Sequence, residues 1–335
     1  MLKVGLIGCG GMGSIHAECW LALGDRVRLA AIADPCQEKV KKYAGRSAAQ
    51  IYKTGSALLE QADVDIIDIC VPTYLHAVLA AEAMEQGRHV FIEKPVCLCE
   101  EEAQLLLDTQ KKTGVCVQVG QVIRFWDEYA WLKNEIDKGT YGKVVSATFN
   151  RLSARPKWSW EDWYNDYTKS GTMALDLHVH DADFVRYLMG REPDKVDSRA
   201  VRDRYGIIQQ IYAVYNFGDT VITAEGGWNY PDNFPFAMGF RIRLEKALVI
   251  LNNDGVMTVY LENGDKFHPE IHKEFEADTD IGINVSSLGA YYNELRYFTK
   301  MIESGDIEEI APLCEAVESA RLVWKEIAIA GGAKR

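Results

Sequence analysis

Gly8, Gly10 and Gly13 stand in the spacing G-x-G-x-x-G directly after the short apolar run Val4, Leu6 and Ile7. Each glycine has a physical task in such a turn. The first permits a tight bend, the second lets backbone N–H groups approach a pyrophosphate, and the third lets the following helix press on the strand. The anion would sit at that helix's N-terminus, where unpaired N–H groups and the helix dipole favour negative charge. Glycine turns are common, so the context matters. An apolar-periodic helix follows (Ile15, Cys19, Leu23), and a second strand, Leu29 to Ala33, ends in Asp34. A carboxylate about 20 residues beyond the glycines suits a ribose 2′-hydroxyl. Pro35 follows it, and no arginine stands beside it to receive a 2′-phosphate, so the expected cofactor is NAD rather than NADP.

Two further groups have types and spacing suited to chemistry. Glu93-Lys94-Pro95 follows the strand His89 to Ile92 and would place a cation at a strand's carboxyl end; Pro95 biases Lys94 toward an extended backbone. Taken alone, a lysine there is most simply a solvated loop residue. The stretch Gly171 to Gly190 reads as one helix with Gly190 as its stop, and Asp176, His180 and Asp183 fall at i, i+4 and i+7 on one face. An imidazole beside a carboxylate can work as a general base near neutral pH. A metal set of His178, His180 and Asp183 is disfavoured, because residues two apart on a helix diverge by about 200°; no metal is expected. Just upstream, Trp158, Trp160, Trp163 and Tyr164 offer flat rings for the apolar face of a pyranose or cyclitol, with Arg155, Lys157 or Asp162 in reach of hydroxyls. Tryptophans filling a seam between domains would leave the same pattern.

These groups need a scaffold, and 335 residues suit two domains. Up to residue 122 the chain alternates strands and helices, with Asp65 to Val71 and Val115 to Val119 as further apolar strands and His76 to Gln86 and Glu100 to Lys112 as helices. That alternation predicts an α/β fold with a doubly wound parallel sheet, its ligands outside the carboxyl ends of the strands. Residues 123–335 change pattern: alternating strands joined at Gly218-Asp219, Asp254-Gly255 and Asn263-Gly264 predict antiparallel hairpins. Two closing helices, near Leu288–Ser304 and Leu313–Ala330, follow, the last a candidate to pack back on the first domain.

A net charge of −12 with 26% charged residues argues against nucleic-acid or anionic-membrane partners, which demand a basic face. No apolar run approaches the length of a membrane span, and Met1-Leu2-Lys3 leads straight into the first strand with no export signal. The eight cysteines are scattered without a C-x-x-C pair, as expected of reduced cytoplasmic thiols. His16 and His89 read as structural. The expected partner is a small neutral or polar molecule.

With Cys70-Val-Pro72-Thr-Tyr-Leu-His76, Glu93-Lys94-Pro95, Gly120-Gln-Val-Ile-Arg124-Phe and Asp176-x-x-x-His180-x-x-Asp183 in that order, the chain resembles the Gfo/Idh/MocA family over essentially its whole length. The resemblance implies an N-terminal Rossmann domain and a C-terminal α+β domain with a large open, mostly antiparallel sheet that serves in a homodimer or homotetramer. It implies NAD contacts from Gly8, Gly10, Gly11, Met12, Gly13, Asp34, Pro72, Thr73, His76, Glu93 and Lys94. Lys94 would lie between nicotinamide and substrate, with Asp176 as the site carboxylate and His180 as the general base, and Arg124, Trp158, Trp163 and His178 are candidate substrate contacts. His178 departs from the glycine that many members carry. The implied activity is NAD-dependent oxidation of a secondary alcohol on a sugar, sugar derivative or cyclitol. Two alternatives stand beside it: a redox-neutral glycoside-cleaving enzyme that could use His178 as an added acid or base, and an NAD-binding sensor without chemistry.

Overall fold

The structure, a computed structural model, describes all residues except 158, 272, 274, 276–287, 306–309 and 332–335. The chain forms two compact units, Met1–Phe125 with Lys273–Val317, and Trp126–His272 with Glu318–Arg335. The division therefore falls close to residue 122, but the segment that carries the first closing helix belongs with the first unit, while most of the last helix belongs with the second.

In the first unit, β1 (Leu2–Ile7), β2 (Val27–Ala33), β3 (Gln50–Tyr52), β4 (Ile66–Ile69), β5 (His89–Ile92) and β6 (Val117–Val119) make a six-stranded sheet in the order β3-β2-β1-β4-β5-β6. Every pair is parallel. The crossovers are α1 (Gly11–Ala22), α2 (Gln37–Ser47), α3 (Gly55–Gln61), α4 (His76–Glu85) and α5 (Glu100–Thr113). Strand order reverses beside β1, which opens a crevice at the carboxyl ends of β1 and β4. Burial explains the apolar runs: Val4, Leu6, Ile66, Ile67, Val90 and Phe91 have no exposed surface. The edge strand β3 and the short α3 carry too few periodic residues to be read from sequence.

The second unit contains α6 (Asp127–Asp137), β7 (Val144–Ala154), α7 (Tyr167–Ser170), α8 (Val179–Met189), β8 (Lys195–Arg202), β9 (Ile208–Phe217), β10 (Thr220–Tyr230), β11 (Ala237–Leu244), β12 (Ala247–Leu251), β13 (Met257–Leu261) and β14 (Lys266–Phe267). These strands form an eight-stranded sheet, β14-β13-β12-β11-β7-β10-β9-β8, antiparallel except where β7 meets β10. The turn glycines do what the hairpins require, with φ of 65° at Gly218, 80° at Gly255 and 94° at Gly264. Two helices close the chain, α9 (Gly289–Ser304) and α10 (Leu313–Ile329). Among the described residues no helix is long and apolar enough to cross a membrane.

Helix α8 is fixed to the sheet by aromatic packing and by charge. Phe184 meets Tyr129 of α6 edge-on at 4.8 Å and lies 5.9 Å from Phe149 of β7. Arg151 of β7 and Asp181 form a bidentate pair in the interior, at 3.0 and 3.1 Å. Losing one partner of such a pair costs about 3–5 kcal/mol because a bare charge stays buried. The expected unbroken helix from Gly171 to Gly190 is not what forms. Gly171 and Thr172 take left-handed backbone (φ 71° and 59°), Ala174–His178 is a π turn, and α8 starts only at Val179. Its stop is as expected: Gly190 has φ 63° and donates its N–H to the Arg186 carbonyl at 2.9 Å.

Candidate active site

The glycine loop of the first unit fits the backbone of a dinucleotide. A Cβ on Gly13 would lie 1.9 Å from the Gly8 carbonyl oxygen and one on Gly8 2.5 Å from the Cys70 carbonyl, whereas a Cβ on Gly10 would meet nothing within 4 Å. Gly8 and Gly13 are thus closed to any side chain, and Gly10 leaves its backbone open to approach. Gly11 and Met12 open α1, whose first turn has no acidic residue and no side-chain cap; its N–H groups are left for an anion. Asp34 accepts the Cys9 N–H on Oδ2 and the Cys36 N–H on Oδ1, both at 2.7 Å. Each oxygen keeps a lone pair for a ribose hydroxyl. Asp34→Ala is expected to weaken NAD binding and narrow the preference over NADP in a fluorescence titration of both; an unchanged ratio would remove Asp34 from that role.

Other residues expected at the cofactor also hydrogen-bond to the turns of the first unit. His76 is 1% exposed and lies between the carbonyl oxygens of Val71 (Nε2, 2.8 Å) and Pro95 (Nδ1, 2.9 Å), so it ties the turn at Pro72 and Thr73 to the turn at Lys94 and offers no open nitrogen. Glu93 accepts the Lys94 backbone N–H at 3.0 Å. The Lys94–Pro95 peptide is cis, and Lys94 is only half-buried. Arg124, expected at the substrate, is 4% exposed and donates to the Ile310 carbonyl at 2.6 Å.

Sequence reasoning missed the charged interior beneath these turns. His16 lies between Asp68 and Glu93, and Glu294 of α9 closes the group. Burial would lower the His16 pKa, but the Asp68 charge and Cys70 outweigh it and hold the imidazole well above its usual range. Burial, then the Glu93 charge, pushes the Glu294 carboxyl well above its ordinary range. Glu294 thus keeps in the folded state a proton that the unfolded chain releases near pH 4.5, so stability falls as pH rises from there toward the raised value. The His16 shift acts in the same direction above its unfolded value. The melting temperature is expected to decline from about pH 5 to pH 8, and Glu294→Gln should flatten that slope; an unaltered slope would contradict it.

In the second unit Asp176 sits within the π turn and His180 is the second residue of α8. They retain 8% and 9% of their surface, whereas His178, Asp181 and Asp183 of the same segment retain 0–1%. Asp183 accepts the Ser319 hydroxyl at 2.7 Å, and Ser319 in turn accepts from Arg186 at 2.9 Å. His178 is fully buried with Nε2 donating to Glu326 at 2.8 Å. Trp158 lies outside the described residues. Trp163 stacks on Tyr164 with ring centroids 4.1 Å apart. Lys157 pairs with Asp232 on the surface, a contact worth no more than about 1 kcal/mol and easily exchanged for a ligand hydroxyl.

A six-stranded parallel sheet with a glycine loop at its switch point, joined in sequence to an open mostly antiparallel sheet, defines an NAD-binding oxidoreductase of two parts. The family described as "Oxidoreductase family, NAD-binding Rossmann fold" (GFO_IDH_MocA) matches residues 2–121, and the "GFO/IDH/MocA C-terminal domain" matches residues 129–250. The chain belongs to the Gfo/Idh/MocA family and is an NAD-binding dehydrogenase. It is 31% identical over 326 residues to the inositol 2-dehydrogenase of Rhizobium meliloti (strain 1021), covering 93% of this chain and 91% of that protein. It is 28% identical to the myo-inositol 2-dehydrogenase of Thermotoga maritima, with 91% and 89% covered. Among solved structures, levoglucosan dehydrogenase in complex with NADH and levoglucosan shares the fold with a TM-score of 0.85 at 21% identity, 98% and 97% covered.

Proposed function

We propose that this chain is an NAD-dependent dehydrogenase for a secondary alcohol on a cyclitol or sugar. The carrying observation is the full-length likeness to an inositol 2-dehydrogenase in a chain whose site segment keeps surface at Asp176 and His180. NAD, when bound, supplies the hydride acceptor. His180 takes the hydroxyl proton, Asp176 favours the imidazolium that results, and the Lys94 ammonium polarises the substrate oxygen. The glycine loop orients the cofactor through its backbone N–H groups and Asp34. A redox-neutral cycle would call for a further acid or base, for which the sequence offers His178, a fully buried imidazole whose Nε2 lies 2.8 Å from Glu326. A screen of cyclitols, hexoses, uronates and glycosides with NAD, followed at the NADH absorbance and by product chromatography, tests the proposal. NADH accumulating with a polyol supports it; an aglycone released without net absorbance change replaces it with the redox-neutral reading.

The second unit also motivates a symmetric homo-oligomer. On β9, Ile211, Ala213 and Tyr215 are 0–1% exposed, while the other face of the sheet leaves Val145, Tyr212, Val221 and Tyr260 41–46% exposed. Apolar residues on an uncovered sheet face fit burial against a second copy. Light scattering at micromolar concentration is expected to give a dimer or tetramer mass, and Val221→Lys with Tyr212→Lys should shift it toward monomer; a monomer mass for the unaltered chain would end this proposal.

A further inference from the structure

The turn that carries Lys94 rests on a closed group of ionisable side chains drawn from separate elements of the first unit. His16 of α1 places Nδ1 3.0 Å from Asp68 Oδ2 on β4 and Nε2 3.1 Å from Glu93 Oε1 beyond β5. All three residues are 0–5% exposed. A neutral imidazole has one N–H, so donation from both nitrogens to two carboxylates calls for the imidazolium. Asp68 Oδ2 also accepts the Trp20 indole N–H at 2.6 Å, and Cys70 Sγ lies 3.2 Å from His16 Nδ1. Glu294 on α9 faces the same group, with neither carboxyl oxygen hydrogen-bonded among the described residues. The second oxygen of Glu93 accepts the Lys94 backbone N–H at 3.0 Å. Gly120 lets the carboxylate lie flat against the chain, since a Cβ there would come 3.1 Å from Glu93 Oε1. One line of hydrogen bonds thus runs from Trp20 through Asp68, His16 and Glu93 to the backbone of Lys94.

His16, Glu93 and Glu294 are close enough to suit a cation, with candidate ligand atoms within 4.8 Å of one another. His16 and Glu93 are already spent on each other, on Asp68 and on Lys94, among residues that are 0–5% exposed. Glue for the fold would be a costly explanation, because each buried ion loses several kcal/mol of hydration that an apolar filler would not. What the network gives in return is a fixed position for a short turn.

We propose that His16 is a positioning residue for the reaction, fixing the Lys94 backbone through the Glu93 carboxylate so that the ammonium meets the substrate oxygen. This rests on the reading of Lys94 given above. A displacement of about 1 Å at a reacting group can cost 10²-fold in rate, so the effect belongs mainly in kcat, with only a small change in cofactor affinity.

His16→Gln alone would leave two buried carboxylates sharing one neutral donor and is prone to misfold, so the test uses His16→Gln with Asp68→Asn, which restores charge balance. It is assayed with NAD and myo-inositol, or the best polyol of the screen, alone and combined with Lys94→Ala. Expected are a kcat lower by about 10²-fold, an NAD dissociation constant within about threefold of the unaltered chain, and a melting temperature within a few degrees of it. In the Lys94→Ala background the same pair should cost no more than about twofold further, because a residue that acts through Lys94 has nothing left to position. Full kcat in the refolded double variant, or losses that multiply independently in the Lys94→Ala background, would overturn the proposal. Full turnover by Lys94→Ala alone would instead sink the Lys94 reading, and the positioning role with it.

Discussion

Replacing His180 by alanine is expected to lower kcat by about 10²–10⁴-fold while leaving NAD affinity nearly unchanged. His180 lies on α8, in the second unit, and the glycine loop and Asp34 lie in the first, so the substitution changes none of the residues proposed to hold the cofactor. The fold should stay in place, because Phe184 and the interior Arg151–Asp181 pair, which the substitution leaves intact, anchor α8. Steady-state kinetics with the best polyol, beside an NAD titration and a melting curve, separate the three effects. Lys94→Ala should slow turnover as well and also weaken NAD binding. Asp176→Asn keeps the shape and removes the charge that favours the imidazolium, so it should cost less than His180→Ala. Full activity in His180→Ala would overturn the mechanism and return the sensor and redox-neutral readings to the front.

What could be read from the sequence was what is local. The glycine loop, the strand ending at Asp34 and the hairpin turns each depend on residues within a few positions of one another, and backbone sterics fix them whatever surrounds them. The proposed site segment stands out in the sequence by its residue types, but its backbone does not. The spacing of Asp176 and His180 suits an α-helix, while the π turn over Ala174–His178 adds a residue to one turn, which no pattern of apolar positions reveals. That extra residue decides which side chains face inward. The interior network was illegible because its members, His16, Asp68, Glu93 and Glu294, come together only on folding, from elements as far apart in the chain as α1 and α9. A signal was nevertheless present: Asp68 stands as a charge in the middle of the apolar strand Ile66–Ile69, and a buried carboxylate needs a partner. His178 fell the same way, since its partners Glu326 and Tyr215 lie far along the chain on α10 and β9.

His178→Gly is expected to cost stability rather than catalysis. The imidazole is fully buried against β10, where a Cβ on Gly226 would approach His178 Cβ to 2.8 Å, and Nε2 donates to Glu326 at 2.8 Å. Glu326 also accepts the Tyr215 hydroxyl at 2.7 Å, and burial together with the Glu326 charge pushes that phenol well above its usual pKa. Removing the ring leaves the carboxylate in the interior with, among the described residues, the phenol as its remaining side-chain donor. Breaking a buried charged contact costs about 3–5 kcal/mol, the surviving tyrosine bond favouring the low end, and at about 2–4 °C per kcal/mol the melting temperature should fall by roughly 10 °C. Measured well below that melt, kcat should stay within about threefold, since His178 presents no surface to a substrate. Adding Glu326→Gln should recover part of the stability by removing the stranded charge. The opposite pattern, an unchanged melting temperature with a kcat loss comparable to that of His180→Ala, would mean that the segment opens in solution and that His178 takes part in the chemistry after all.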